Sequence, residues 1–221
     1  RLSFSLFRDK KRSRIQLAQP GLSRAGAIRQ YVFHDLNANG RPDPGEPPIE
    51  GAKFIVENAL RPETTDAAGY VLFGGLTTNR KLDVEFQLSS LEDPFLRPQH
   101  LGQSTIVRAG QIVEMITPVQ STGDVEGVLL LINGETEAPI SGVEIEFVDA
   151  KGRIVTRTRT EFDGYFYMDG LPMGKLEVRV SPDALQKTGT VSSPVSIELT
   201  VGKPSVYGLD LRLLKQADNY T

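Results

Sequence analysis

Twelve consecutive residues, Asp35-Leu36-Asn37-Ala38-Asn39-Gly40-Arg41-Pro42-Asp43-Pro44-Gly45-Glu46, place oxygen-bearing side chains at the first, third, fifth, ninth and twelfth positions and glycine at the sixth. That is the ligand spacing of an EF-hand calcium loop, in which roughly six to eight hard oxygens surround one ion. The candidate ligands are Asp35, Asn37, Asn39, the Arg41 backbone carbonyl, Asp43 and both carboxylate oxygens of Glu46, with Gly40 where such a loop turns sharply. Three carboxylates this close repel one another when no cation is present, so a bound ion is expected to order the segment. An all-oxygen set favours calcium over magnesium. A plain surface turn draws on the same residue types, but it has no reason to set every ligand position and the glycine in register.

The elements around the loop are not those of an EF-hand. Gln30-Tyr31-Val32-Phe33 before it is rich in strand formers, and Pro47-Pro48 after it cannot continue a helix. The loop is therefore expected to join strands. His34, next to it, reads as packing at a strand end, and His100 as an exposed residue of a Pro-containing loop.

With 221 residues, the chain is long enough for two small domains, and 39% hydrophobic residues suffice for a core in each. Its 21 glycines and 14 prolines suit short strands joined by many turns, so the expected class is all-β. The absence of cysteine excludes disulfides, thiol nucleophiles and zinc-thiolate sites. Calcium is plentiful outside cells and scarce within them, which favours an extracellular, cell-surface or periplasmic and outer-membrane setting. No apolar run is long enough for a transmembrane helix. A chain opening on Arg1 reads as a piece of a longer protein.

Residues 1 to 29 carry eight cations against Asp9 alone, a net of +7, which leaves −10 for the remainder. This basic segment lacks interleaved aromatics and any nucleic-acid recognition pattern, so no nucleic acid is expected as partner. Residues 1 to 27 are expected as a hairpin or the end of a preceding domain: Leu2 to Phe7 and Arg14 to Ala18 read as strands around a charged turn, Arg8 to Arg12.

An internal repeat organises the rest. Pro48-Ile49-Glu50-Gly51-Ala52 recurs as Pro139-Ile140-Ser141-Gly142-Val143. Thr65-Asp66-x-x-Gly69-Tyr70, then Gly75-Leu76, returns as Thr160-Glu161-x-x-Gly164-Tyr165, then Gly170-Leu171, and Lys81-Leu82-Asp83-Val84 answers to Lys175-Leu176-Glu177-Val178. The offset runs from 91 residues at Pro48 to 95 at Thr65, the size of one small sandwich. Leu82 to Phe86, Val143 to Phe147 and Leu176 to Val180 alternate apolar and polar as half-buried strands do. The expected domains are 28–120, with the acidic loop, and 121–221, without it, joined by a short polar connector from Pro118 to Asp124. Gly69 and Gly164 are expected to serve turn geometry rather than a ligand. Because the second half replaces the acidic loop with Ile132 to Ala138, the architecture does not need it. The loop therefore implies a local role, with calcium rigidifying the first domain.

Val32-Phe33-x-Asp35-x-Asn37-x-Asn39-Gly40-x-x-Asp43-x-Gly45-Glu46, then Ile49-x-Gly51-Ala52 and Thr65-Asp66-x-x-Gly69-Tyr70, resembles the B-type repeats of serine-aspartate-repeat surface adhesins. The second half is similar to collagen-adhesin B-type and carboxypeptidase regulatory-like domains. Together the resemblances cover about residues 28 to 214. They imply two tandem prealbumin- or immunoglobulin-like β-sandwich domains serving as stalk, spacer or accessory module. Some such domains carry a lysine to asparagine isopeptide bond, but Lys53 reads as outward on an alternating strand, and Ile112 to Thr117 offers no asparagine. The basic start and the tandem modules also resemble, more loosely, those following the barrel in usher-type outer-membrane proteins.

Catalysis is not expected. Two histidines, no cysteine and no nucleotide or nucleophile motif leave few proton brokers, and the pairs Glu144/Glu146 and Glu135/Glu137 read as solvated faces. Tyr70, Tyr165 and Tyr167 fall in strands where core packing is the default. The expected function is a non-catalytic structural or spacer module of a cell-surface or envelope protein, partnered by another protein or by neighbouring domains of its parent chain, with no small-molecule substrate. The alternative is a periplasmic binding or assembly domain of an usher-like protein, or an adhesin's ligand-binding module.

Overall fold

The computed structural model describes residues 5–8, 15–18, 25–57 and 62–215, the first two stretches as backbone only. Contacts divide the chain into Arg1–Gln120 and Ser121–Thr221. At the start, β1 (Ser5–Arg8) and β2 (Ile15–Ala18) pair antiparallel. The expected strand residues Leu2 to Phe4 and the turn residues Asp9 to Arg12 lie outside the described residues.

The first unit continues with β3 (Gly26–His34), β4 (Lys53–Val56), β5 (Glu63–Thr64), β6 (Tyr70–Leu76), β7 (Lys81–Gln87), β8 (Leu96–Pro98), β9 (Gly102–Ile106) and the start of β10 (Ile112–Asn133). One sheet pairs β3 parallel to β10 and antiparallel to β6, with β8 also on β10; the other runs β5-β4-β7-β9. Alternation decides what faces inward: in Lys53–Val56 and Lys81–Gln87 every second residue is buried. Between the sheets lie Ile28, Val32, Phe54, Phe73, Val84 and Phe86, with the Phe54 and Phe86 rings edge to face at 5.0 Å. Lys53 is exposed, as an outward residue should be.

In the second unit the later part of β10 pairs with β11 (Thr136–Pro139), with β14 (Tyr165–Pro172) and, in parallel, with β18 (Ser205–Lys215), which carries β16 (Thr190–Val191). The facing sheet orders β13 (Ile154–Arg159), β12 (Glu144–Asp149), β15 (Gly174–Val180) and β17 (Val195–Leu199). Its core gathers Leu129, Ile145, Phe147, Phe166, Val178 and Leu211. The chain is all-β, two β-sandwiches in tandem, with one short α-helix among the described residues.

The repeat has a common physical basis. Gly69 and Gly164 have φ of +75° and +77°, and a Cβ there would stand 2.4 Å from the Val32 carbonyl oxygen and 2.6 Å from that of Leu129, so only glycine fits. Thr65 and Thr160, both buried, play the same part in each unit. Thr65 Oγ1 donates to the Ile49 carbonyl and accepts from the Ala52 amide, and Thr160 Oγ1 treats Ile140 and Val143 alike. The hydroxyls thereby clip each Pro-Ile-x-Gly loop to the sheet.

Several expectations are corrected. Pro118 to Asp124 is strand, not a polar connector: Thr117, Pro118, Val119 and Thr122 are buried, and pairing with the strands on either side outweighs the polar composition. The helix α1 (Pro182–Thr188) was not anticipated, although its signals stand in the sequence. Ser181 caps it by accepting from the Ala184 amide, Pro182 begins it, and Gly189 ends it in the left-handed region at φ +61°. The tyrosines do not fill the cores. Tyr70 stacks on Tyr31 at 4.6 Å, Tyr165 donates to Glu126, and Tyr167 is 45% exposed, while Phe73 and Phe166 take the inward places. Glu146 is on the outward face but not solvated: Arg157 and Arg179 cover its carboxylate, leaving the residue 4% exposed.

Candidate metal centre

The acidic loop leaves the inner sheet of the first unit at the end of β3 and returns at Pro48, which bridges back to Phe33. Backbone bonds pin both ends: the His34 amide donates to the Pro47 carbonyl at 2.9 Å, and the Asp35 amide to the Val119 carbonyl at 2.8 Å. Between them the chain turns back on itself through left-handed conformations at Ala38 (φ 58°), Gly40 (φ 73°) and Gly45 (φ 96°). The loop thus joins two strand-paired segments, as the flanking residues predicted.

Asp35 is the anchor. It is 2% exposed, and its two carboxylate oxygens accept from the Asn39 amide (3.2 Å), the Gly40 amide (2.9 Å) and Gln120 Nε2 (3.0 Å). All three donors are neutral, and no ion pair among the described residues gives this buried anion a cationic side chain. A buried charge without a counter-charge is expensive.

The other positions close a ring above it. Asn37 Oδ1 accepts from the Asn39 amide at 3.0 Å, and Asn39 Oδ1 from the Arg41 amide at 2.7 Å. Their Nδ2 groups both donate to Asp43 Oδ2, at 2.9 Å and 2.6 Å. The Asn37 hydrogen bond, then the Asn39 one, holds the Asp43 carboxyl below the usual carboxylate value. Glu46 spans the loop, with Oε1 accepting from the Leu36 amide at 3.0 Å and Oε2 from the Asp43 amide at 2.8 Å.

The structure therefore brings Asp35, Asn37, Asn39, Asp43 and Glu46 into one hydrogen-bonded network, with the Arg41 amide on its rim. Among the described residues no three His, Cys, Asp or Glu side chains gather closely enough to hold an ion by themselves. The donor set depends on amide and carbonyl oxygens joining the three carboxylates. Those residues fit a hard cation in kind: a carboxylate or amide oxygen holding one N–H keeps a second lone pair, and the buried Asp35 carboxylate lacks positive charge. Sequence reasoning missed Gln120, whose only signal is a polar residue within a strand pairing beside the loop.

His100 is exposed, and His34 is half-buried on β3. Among the described residues, no helix is long and apolar enough to cross a membrane.

Two sandwiches, one bearing this loop, define a chain of tandem all-β modules, and the chain resembles B-type adhesin domains. Its homologues are serine-aspartate repeat proteins. It is 29% identical to serine-aspartate repeat-containing protein F of Staphylococcus epidermidis, over 73% of this chain and 11% of that protein. Identity is 28% with serine-aspartate repeat-containing protein C of Staphylococcus aureus, covering 74% of this chain and 20% of that one. The bone sialoprotein-binding protein of Staphylococcus aureus is 27% identical over 74% of this chain and 16% of its own length. The chain thus spans between about a tenth and a fifth of these relatives. No family model matches it. Among solved structures, the minor pilin GBS52 of Streptococcus agalactiae aligns at a TM-score of 0.39 and 14% identity, over 89% of this chain and 98% of that one. The Bacillus anthracis TIE protein aligns at 0.37 and 16%, over 87% and 34%.

Proposed function

We propose that this chain is a non-catalytic pair of structural modules in a cell-surface protein, and that calcium holds the loop from Asp35 to Glu46 of the first. The observation that carries the metal reading is Asp35, a carboxylate 2% exposed whose contacts are neutral N–H donors, inside a ring of further oxygens. Asp35, Asn37, Asn39, Asp43, Glu46 and the Arg41 carbonyl would hold the ion. Calcium would supply the positive charge that the buried Asp35 carboxylate lacks and draw the loop's other oxygens towards it, favouring the closed loop over open alternatives.

The structural reading rests on homology to serine-aspartate repeat proteins and on the sites themselves. On the second unit the Glu146 carboxylate is taken up by Arg157 and Arg179. What the loop does locally is tie the end of β3 to β10 through Asp35, Val119 and Gln120.

Thermal melting with calcium and with excess chelator tests the reading. A ligand specific for the native state stabilises by about 2.7 kcal/mol at a hundred times its dissociation constant. For a unit of this size that raises the midpoint by roughly 10 °C or more. Asp35→Ala and Glu46→Ala should each abolish the shift. Identical midpoints in calcium and chelator would defeat the proposal.

A further inference from the structure

The sequence contains two Asn-Gly pairs, Asn39-Gly40 and Asn133-Gly134, and the structure treats them oppositely. Asn-Gly is chemically labile because glycine offers no side chain to block its own amide nitrogen from the preceding carboxamide. The nitrogen attacks the asparagine Cγ as its proton passes to solvent, the carboxamide C–N bond breaks, and ammonia leaves with a proton taken back from solvent. Water then adds to either carbonyl of the resulting cyclic imide, giving aspartate or its isoaspartyl isomer. The attacking nitrogen must first be free of its hydrogen bond.

Both asparagines are exposed, so access to water does not distinguish them. The attacking nitrogens do. The Gly40 amide donates to Asp35 Oδ2 at 2.9 Å, a bond to a charged and buried acceptor, while Asn39 is itself held at both ends, by Arg41 and Asp43. Gly134 lies in the turn from β10 to β11, with φ +63°, and Asn133 pairs with Thr136 across that turn. Among the described residues no acceptor meets the Gly134 amide and no partner holds the Asn133 carboxamide. Only the Asn133 backbone carbonyl is engaged, by Thr136 Oγ1 at 2.8 Å.

We infer that Asn133 is a site of spontaneous deamidation, and that Asn39, although the same dipeptide, is protected by the Asp35 carboxylate. Conversion at Asn133 puts a new negative charge in the β10–β11 turn. In the isoaspartyl form it also adds a methylene to the backbone, loosening the Asn133–Thr136 pairing. The acidic loop keeps its own side chains through the same exposure. Protection of Asn39 rests on the Asp35 to Gly40 hydrogen bond of the closed loop; the rates are compared in calcium, where the loop is closed on either outcome of the metal reading, so the two failures are separable.

The test is peptide mapping by mass spectrometry of the whole chain held in mildly alkaline buffer with calcium, sampled over days, with a parallel sample in concentrated urea. In the native chain Asn133 should convert roughly tenfold faster than Asn39, the rate cost of first breaking one charge-assisted hydrogen bond. In urea the two rates should converge, because the dipeptides are identical once unfolded. Equal native rates, faster conversion at Asn39, an unchanged Asn133 or a difference that persists in urea would each overturn the inference.

Discussion

Gln120 Nε2 donates to Asp35 Oδ2 at 3.0 Å, across 85 residues of sequence. This bond reaches the buried carboxylate from the neighbouring strand; with the Gly40 amide it fills Oδ2, and Oδ1, which holds the Asn39 amide alone, keeps a lone pair for a cation. Outer partners of this kind tune ion affinity without touching the ion. Gln120→Leu should therefore weaken calcium binding by about tenfold while leaving the fold intact. Calcium titration of the variant against the parent chain checks this; an unaltered affinity would show that Asp35 needs no such support.

Gln30 and Thr117 form a polar pair inside the apolar core of the first unit. Both are buried, Gln30 Nε2 donates to Thr117 Oγ1 at 2.5 Å, and Gln30 Oε1 has no partner. In the second unit the matching place on β10 is Gly127, where an added Cβ would lie 2.0 Å from the Leu209 carbonyl oxygen and 2.6 Å from the Phe166 ring, so no side chain fits there. Thr117→Val should cost about 1–3 kcal/mol by stranding the whole amide. Adding Gln30→Met should restore most of that loss, because no unpaired polar group remains. Urea denaturation of the single and double variants gives the comparison.

Glu146 predicts an asymmetry. Its side chain is 5% exposed, whereas those of Arg157 and Arg179 are 50% and 34% exposed. Removing the carboxylate returns two guanidinium groups to water. Replacing both arginines by methionine keeps the carboxylate covered without a counter-charge and should destabilise by roughly 3 kcal/mol. Glu146→Leu should therefore unfold at higher denaturant than the Arg157→Met, Arg179→Met double variant.

Alkaline titration should reach the second unit through its tyrosines. The hydrogen bond to Glu126 first, then burial, raises the Tyr165 phenol above its ordinary value; burial first, then the charge of Asp124, raises Tyr167. Because the folded values lie above the unfolded one near 10, the stabilisation is complete below that pH. It is lost as pH rises through the folded values. Glu126→Gln should move the Tyr165 titration down and shrink the alkaline loss of stability, whose onset stays at the unfolded value near 10, read from phenolate absorbance and melting across the same range.

Much of the fold was legible because its determinants are local. Alternation in Leu82 to Phe86 and Val143 to Phe147 fixes strands and their inward faces, and Gly69 and Gly164 mark turns that admit no Cβ. The loop network from Asp35 to Glu46 is local too, since every member falls within twelve residues. Non-local relationships were hidden. The burial of Glu146 depends on strand register, which sets Arg157 and Arg179 directly opposite it on both neighbouring strands. Gln120 meets Asp35 because β10 runs parallel to β3, and a polar run from Pro118 to Asp124 gave no sign of strand. The helix from Pro182 to Thr188 was locally encoded by Ser181, Pro182 and Gly189, but it is too short for an apolar period to draw attention.

Whether the loop from Asp35 to Glu46 holds calcium is decided by calorimetric titration of the ion into the chelator-stripped chain, with Asp35→Ala and Glu46→Ala alongside. A single site per chain is expected, with an affinity no weaker than about 10⁻³ M, absent from both variants. A titration without binding heat at any temperature, with no change in melting midpoint at the same calcium concentrations, would refute calcium binding at this loop.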